Sequence, residues 1–216
     1  VPDIFDEVEE DLRAERARRL ARRWGGLALG LALLVLGGVG GLQGWRWYQA
    51  REAATAAATY INLHRAAERP EADLAAAANG FAALGRESPA GYQVLARLRA
   101  AALKAETGDA AAAQALWDQV ANDTSADRLY RDLATLLAVS QGVDAGDPAQ
   151  LAARIAPLTT ADNPWRASAR EVQALIALRR GANAEARRMF EALAADGTTP
   201  AGLRERAQRL AAGLRG

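Results

Sequence analysis

Catalysis requires convergent groups of particular kinds: a nucleophile beside a base, paired carboxylates, or nitrogen, sulfur and oxygen ligands spaced for a metal. The sequence has no cysteine and a single histidine, His64, so neither a disulfide framework nor a thiolate metal site is open to it. His64 stands near Arg65 and Glu68 on a polar-to-alanine helical stretch, the setting of a surface histidine rather than of a ligand or base. Two carboxylate pairings, Asp118 with Asp123 and Glu185 with Glu191, fall at helix surfaces and turns, where solvation or capping accounts for them. Arg179, Arg180, Arg187 and Arg188 form a basic cluster that suits an acidic partner, although such a run is more commonly a solvated face. Glycine clusters occur only in one long apolar run and at helix turns, so the sequence has no phosphate-cradling loop. The residue types predict no enzyme, no cofactor, no metal and no small-molecule substrate. With 27 basic and 26 acidic side chains and a net charge of +1, the chain carries no electrostatic footprint for nucleic acid.

The elements that remain are built for burial and for helices. Half of the residues are hydrophobic and only 7 are proline, with alanine dominant, so helix propensity is high throughout. From Trp24 to Trp45 the chain runs without a charge, bounded by Arg23 and Arg46. At about 1.5 Å per residue this run spans roughly 32 Å, the thickness of a bilayer's hydrocarbon core. Trp24 at one end, and Trp45, Trp47 and Tyr48 at the other, are the aromatic residues that favour the headgroup level. Arg13, Arg16, Arg18, Arg19, Arg22 and Arg23 precede the run, whereas only Arg46 and Arg51 follow at the same distance; the bias places the N-terminus in the cytoplasm. A long charged segment before the apolar run predicts an uncleaved anchor rather than a signal peptide.

Glycines within the run fall into register. On a helix Gly26, Gly30, Gly37, Gly41 and Gly44 occupy one stripe about 60° wide, and two of its intervals have the GxxxG spacing that lets helices in lipid approach closely. The stripe is read as a packing face for a partner helix, with Leu27, Leu31 and Leu42 opposite it turned to acyl chains. Before the run, residues 3 to 23 read as an amphipathic helix in which Ile4, Phe5 and Val8 form a small docking epitope. After it, residues 46 to 69 read as a continuation of the same helix, ending before Pro70.

Beyond Pro70 the chain repeats. The bulky residues Phe81, Trp117, Ile155 and Phe190 recur at intervals of 36, 38 and 35, and Ser88-Pro89, Ser125, Asn163-Pro164 and Thr199-Pro200 mark the helix starts that follow them. These units resemble tetratricopeptide repeats, with glycine at a turn, a small residue five later and a bulky one nine later. Gly108, Ala113 and Trp117 fit, as do Gly181, Ala186 and Phe190; Gly146, Leu151 and Ile155 fit in degenerate form, and Ala77 with Phe81 fit the second half alone. The resemblance implies that the four bulky residues form the repeat core. Asn79-Gly80 is a turn signal that points to a break within a helix over 71 to 85. Residues 200 to 214 read as a capping helix, with Leu203, Ala207, Leu210 and Leu214 inward and Arg204, Arg206 and Arg209 in water.

The whole arrangement is recognisable as well. The opening DIFDEVEEDLRAERARRLARRW, the glycine-rich run ending WRWY, and the segments TLLAVSQG and NPWRASAREVQALIALRRG resemble the ancillary SecYEG translocon subunit family. That resemblance implies a single-span inner-membrane protein associated with the Sec translocon, with a periplasmic folding factor and with exported chains. The expected fold is all-α: a single transmembrane helix followed by a short tetratricopeptide-like α-solenoid. The expected domains are a cytoplasmic juxtamembrane helix over 1–23, the transmembrane helix over 24–45, and a periplasmic helical-repeat domain over 46–216. The expected function is a membrane-tethered protein-binding module, an accessory or chaperone-type subunit of the translocon. A structural subunit of another inner-membrane complex, respiratory or photosynthetic, is the alternative.

Overall fold

The computed structural model describes residues 4–214, with side-chain surroundings for most positions from Arg22 onward. The epitope expected at Ile4, Phe5 and Val8, and the flanking Arg13, Arg16, Arg18, Arg19 and Arg23, lie outside the described side chains. The described residues are all-helical: α1 (Ile4–Ala67), α2 (Leu74–Glu87), α3 (Ala90–Glu106), α4 (Ala110–Ala121), α5 (Arg128–Gly142), α6 (Pro148–Ile155), α7 (Arg166–Arg179), α8 (Asn183–Ala195) and α9 (Ala201–Gly213), with a 3-10 turn over Ala156–Thr159 after α6. Two compact units divide the chain at Glu52 and Ala53, within α1.

Within α1, the stretch Leu29–Ala67, which begins in the first unit and runs past its end, is long and apolar enough to cross a membrane. The first unit's large apolar residues are exposed one after another, among them Leu27, Leu31, Leu34, Leu36 and Leu42, and so are Trp45, Trp47 and Tyr48. At the foot of this apolar stretch, the Arg51 guanidinium lies 5.5 Å from the centroid of the Trp47 ring.

In the second unit helices pair in sequence. The end of α1 packs with α2, α3 with α4, α5 with α6, and α7 with α8, and α9 closes the stack. Four apolar clusters fill the pairs and the joints between them. Alanine lines the crossings: Ala78, Ala96, Ala100, Ala113, Ala134, Ala169, Ala174 and Ala186 are fully buried, and their short side chains let backbones approach closely enough for dense packing. The first helices α3, α5, α7 and α9 touch from pair to pair, whereas the second helices do not meet one another to a comparable extent among the described residues. The stack is therefore tighter on the side of the first helices.

Turn chemistry explains the pairing. Gly108 and Gly181 hold φ of 84° and 77°, a left-handed conformation open to glycine at little cost. In both turns the next amide reaches back five residues, Asp109 N to Lys104 O and Ala182 N to Ala177 O, which is the Schellman cap. Asp73, Asp109, Asp127 and Asp147 then cap α2, α4, α5 and α6 by accepting from first-turn amides.

Three expectations need correction. Helix α2 runs unbroken through Asn79-Gly80, because the glycine serves packing: a Cβ there would stand 2.7 Å from Leu63 Cδ2. Gly146, aligned with the two turn glycines, has no positive φ; it is crowded instead, with a Cβ set to meet Gly142 O at 3.0 Å and Leu151 Cδ1 at 3.1 Å. Helix α5 starts at Arg128 under an Asp127 cap rather than at Ser125, whose hydroxyl and amide are both bound by Asp123 Oδ1.

Candidate interaction surfaces

Phe81, Ile155 and Phe190 are wholly buried and Trp117 is 3% exposed. Each sits in a different cluster: Phe81 with Ala96 and Leu103, Trp117 with Val94 and Ala134, Ile155 with Leu136 and Val172, Phe190 with Ala174 and Leu203. Burial at these positions makes them packing groups with no surface to offer a ligand. By contrast, Gly26, Gly30, Gly37, Gly41 and Gly44 have no described atom within 4 Å of the place a Cβ would occupy. Their stripe is open.

Between pairs, apolar packing is supplemented by polar links about one repeat apart that sequence reading missed. Arg206 and Glu171 form a two-point ion pair from α9 to α7, its outer bond 2.7 Å from Nη2 to Oε2. Glu171 is 8% exposed, and its hydrogen bonds push the Arg206 guanidinium further up. Arg206 thus does more than keep the cap wet. Asn163 Nδ2 donates to Asp132 Oδ2 at 2.8 Å, and the Trp165 indole N–H donates to Leu129 O at 3.0 Å. Arg179 donates to the carbonyls of Val143 and Gly146 at the end of α5, so it belongs to the scaffold. Arg180 lies 3.4 Å from Glu185 and Arg187 3.9 Å from Glu191, both as half-exposed pairs. His64 is likewise engaged, its Nε2 lying 3.2 Å from Glu68.

One signal could have found part of this network. Tyr92, Tyr130 and Trp165 each stand 16 residues before the aligned glycines Gly108, Gly146 and Gly181. Each packs back on the preceding pair: Tyr92 with its centroid 6.5 Å from that of Tyr60, Tyr130 against the Trp117 cluster, Trp165 against the Ile155 cluster. The loops α4–α5, α6–α7 and α8–α9 also each carry an aspartate held below the usual carboxylate range. The hydroxyl of Ser125 does this to Asp123, that of Thr160 to Asp162 and that of Thr198 to Asp196, with Arg97, Arg128 and Arg166 as smaller cationic contributions.

The second unit also has concave surfaces among its described residues. A slot of about 230 Å³ between α7 and α8 is lined by Arg170, Gln173, Met189, Ala192 and Leu193. An open groove of about 480 Å³ lies among α4, α5 and α6. No group of three or more histidine and carboxylate side chains suited to a metal occurs among the described residues.

Compared with known proteins, residues 19–209 match the model of the family described as tetratricopeptide repeat-like domain. No curated protein and no solved structure matches the chain.

Proposed function

The chain belongs to the tetratricopeptide repeat-like family, and from that premise we propose that it is a membrane-tethered protein-binding module, an accessory or chaperone-type subunit of the Sec translocon. Helical-repeat domains of this kind present extended surfaces to other proteins. The observation that carries the tether is the apolar sheath of the first unit, where Leu27, Leu31, Leu34, Leu36 and Leu42 are each more than 60% exposed. Such a patch far exceeds what a water-facing helix sustains, and a bilayer is the solvent that suits it. The span runs over 24–45, with residues 1–23 cytoplasmic and the repeats periplasmic. The arginine bias supports that orientation, and the resemblance of the opening segment to the translocon subunit family supports the machine.

The glycine stripe is the docking face for a membrane helix of that machine, and the repeats meet a folding factor or exported chains. Purification of the C-terminally tagged full chain in mild detergent tests the assignment: translocon subunits are expected to co-purify. Recovery of a respiratory or photosynthetic complex instead identifies a structural subunit of that assembly, and recovery of neither contradicts both readings. Orientation has its own test. A reporter active only in the periplasm should work when fused after Gly216 and fail when fused before Val1; the reverse ends the topology.

A further inference from the structure

Two of the pairs, α3 with α4 and α7 with α8, correspond residue for residue at an offset of 73, which carries Gly108 to Gly181, Trp117 to Phe190 and Asp123 to Asp196. The slot lined by Arg170, Gln173, Met189, Ala192 and Leu193 therefore has a counterpart in the earlier pair, built on Arg97 and Leu116. There the place is covered. Helix α2 runs on past Phe81 to Glu87, and its Gly85 lies so close that a Cβ would stand 2.8 Å from Arg97 Cγ. Leu116 packs against the Phe81 cluster as well as its own. The later pair lacks this cover, because α6 stops at Ile155, the counterpart of Phe81, and no residue of α6 lines the slot. Met189, the counterpart of Leu116, packs against the Phe190 cluster and no other.

Charge changes at the same place. In the earlier pair Arg97 lies 3.5 Å from Asp123. The counterpart of that ion pair is not made, because Arg166, standing where the earlier pair has Gln93, takes Asp196 at 3.5 Å. Arg170 acts on Asp196 only from farther off, and neither Arg170 nor Gln173 makes a hydrogen bond among the described residues. Arg170 is the single charged residue of the lining, so the slot carries a cation in excess. Its volume of about 230 Å³ is below the roughly 300–1,000 Å³ of small-molecule sites, which suits one inserted side chain. Met189 can adjust its unbranched chain to that occupant.

We infer that the slot between α7 and α8 receives a leucine-like side chain of a bound protein segment that carries a carboxylate close by. The apolar group takes the place that the end of α2 covers in the earlier pair, and the carboxylate meets Arg170, whose planar fork can hold both oxygens. The inference rests on the reading of the chain as a protein-binding module and supplies the chemistry of the segment bound.

Met189 is the only methionine in the sequence, so its isotopically labelled methyl, assigned by the loss of its resonance in Met189→Leu, reports on the slot in the full chain in detergent. The probes are the peptide acetyl-Leu-Gly-Ala-Glu amide, its neutral analogue ending in Gln, and an analogue with Ala in place of Leu. The acidic leucine peptide is expected to shift the methyl saturably. The neutral analogue should bind about fivefold more weakly, the scale of one partly exposed ion pair, and the analogue without leucine about tenfold. Arg170→Gln, at an exposed side chain, should bring the acidic peptide down to the affinity of the neutral one. Ala192→Phe should abolish the shift by filling the slot, and it decides the matter if Arg170→Gln folds poorly. An unmoved methyl, equal binding of the neutral peptide, or binding unchanged by either variant overturns the inference. Co-purification of a membrane partner is scored separately, so a failed slot and a failed tether are told apart.

Discussion

Glycine means different things in the two units. In the repeat unit, Gly80 and Gly85 lie where a Cβ would come within 2.7 Å of Leu63 Cδ2 and 2.8 Å of Arg97 Cγ, and Gly108 and Gly181 adopt positive φ. These four answer to neighbours or turns within the chain, whereas Gly91, Gly197, Gly202 and Gly213 of the same unit stand in open space. In the apolar unit, five glycines share a stripe and none has a described atom within 4 Å of its would-be Cβ. A helix gives up about 1 kcal/mol for each glycine that replaces alanine, and here no contact among the described residues offsets that cost. What the contrast teaches is where to look for the compensation: within the chain for the repeats, outside it for the stripe.

The comparison is sharpened first where the repeat unit is most densely packed. Trp117→Ala and Phe190→Ala should each destabilise the repeat unit by about 3–5 kcal/mol, the range for buried aromatic truncation, read by chemical denaturation of the full chain in detergent. Unchanged midpoints for both would show that the repeat register is wrong. Gly85→Leu should cost less, about 1–3 kcal/mol by overpacking the crossing of α2 and α3. Gly108→Ala should cost about 1–2 kcal/mol through its left-handed backbone; a neutral result would mean that the turn relaxes to another geometry.

Acid gives a smaller effect with a definite sign. Asp123, Asp162 and Asp196 are depressed in the folded chain by serine and threonine hydroxyls and amides. Their contribution is present above the unfolded aspartate value of about 3.9 and is lost as pH falls through the lower folded values. The denaturation midpoint should therefore decline below about pH 4, and Asp196→Asn should flatten that decline. Steepening in the variant would contradict the assignment.

Legibility in the sequence followed the range of the interactions. The apolar run, the repeat period and the turn glycines Gly108 and Gly181 are local patterns, and each was readable because one residue type at one spacing has few physical uses. Gly80 was misread for the complementary reason. Asn-Gly is a local turn signal, but its glycine answers to Leu63, 17 residues away. Glu171 with Arg206, and Arg179 with the end of α5, were invisible because a charged residue on a helix looks solvated until the neighbouring pair is in place. The aspartates with their hydroxyl partners lie in plain view as Asp123-Thr124-Ser125 and Asp196-Gly197-Thr198, but the sequence reading took Asp123 only as a capping or solvated carboxylate and did not single out Asp196.

The smallest effect on stability should belong to the stripe, and there the contrast between the units becomes a measurement. Gly37→Leu with Gly41→Leu meets open space in this chain and raises hydrophobicity, so insertion and the denaturation midpoint of the repeat unit should hold. A helix packed on the stripe would be forced off, forfeiting its dispersion contacts. The decisive comparison is mild-detergent co-purification from the tagged wild type, the double glycine variant, and an Ala28→Leu, Ala32→Leu control away from the stripe. The account predicts that the membrane partner is recovered with the wild type and the control and lost from the glycine variant. Recovery at wild-type levels from the glycine variant would contradict it and leave attachment to the segment before the apolar run or to the repeats.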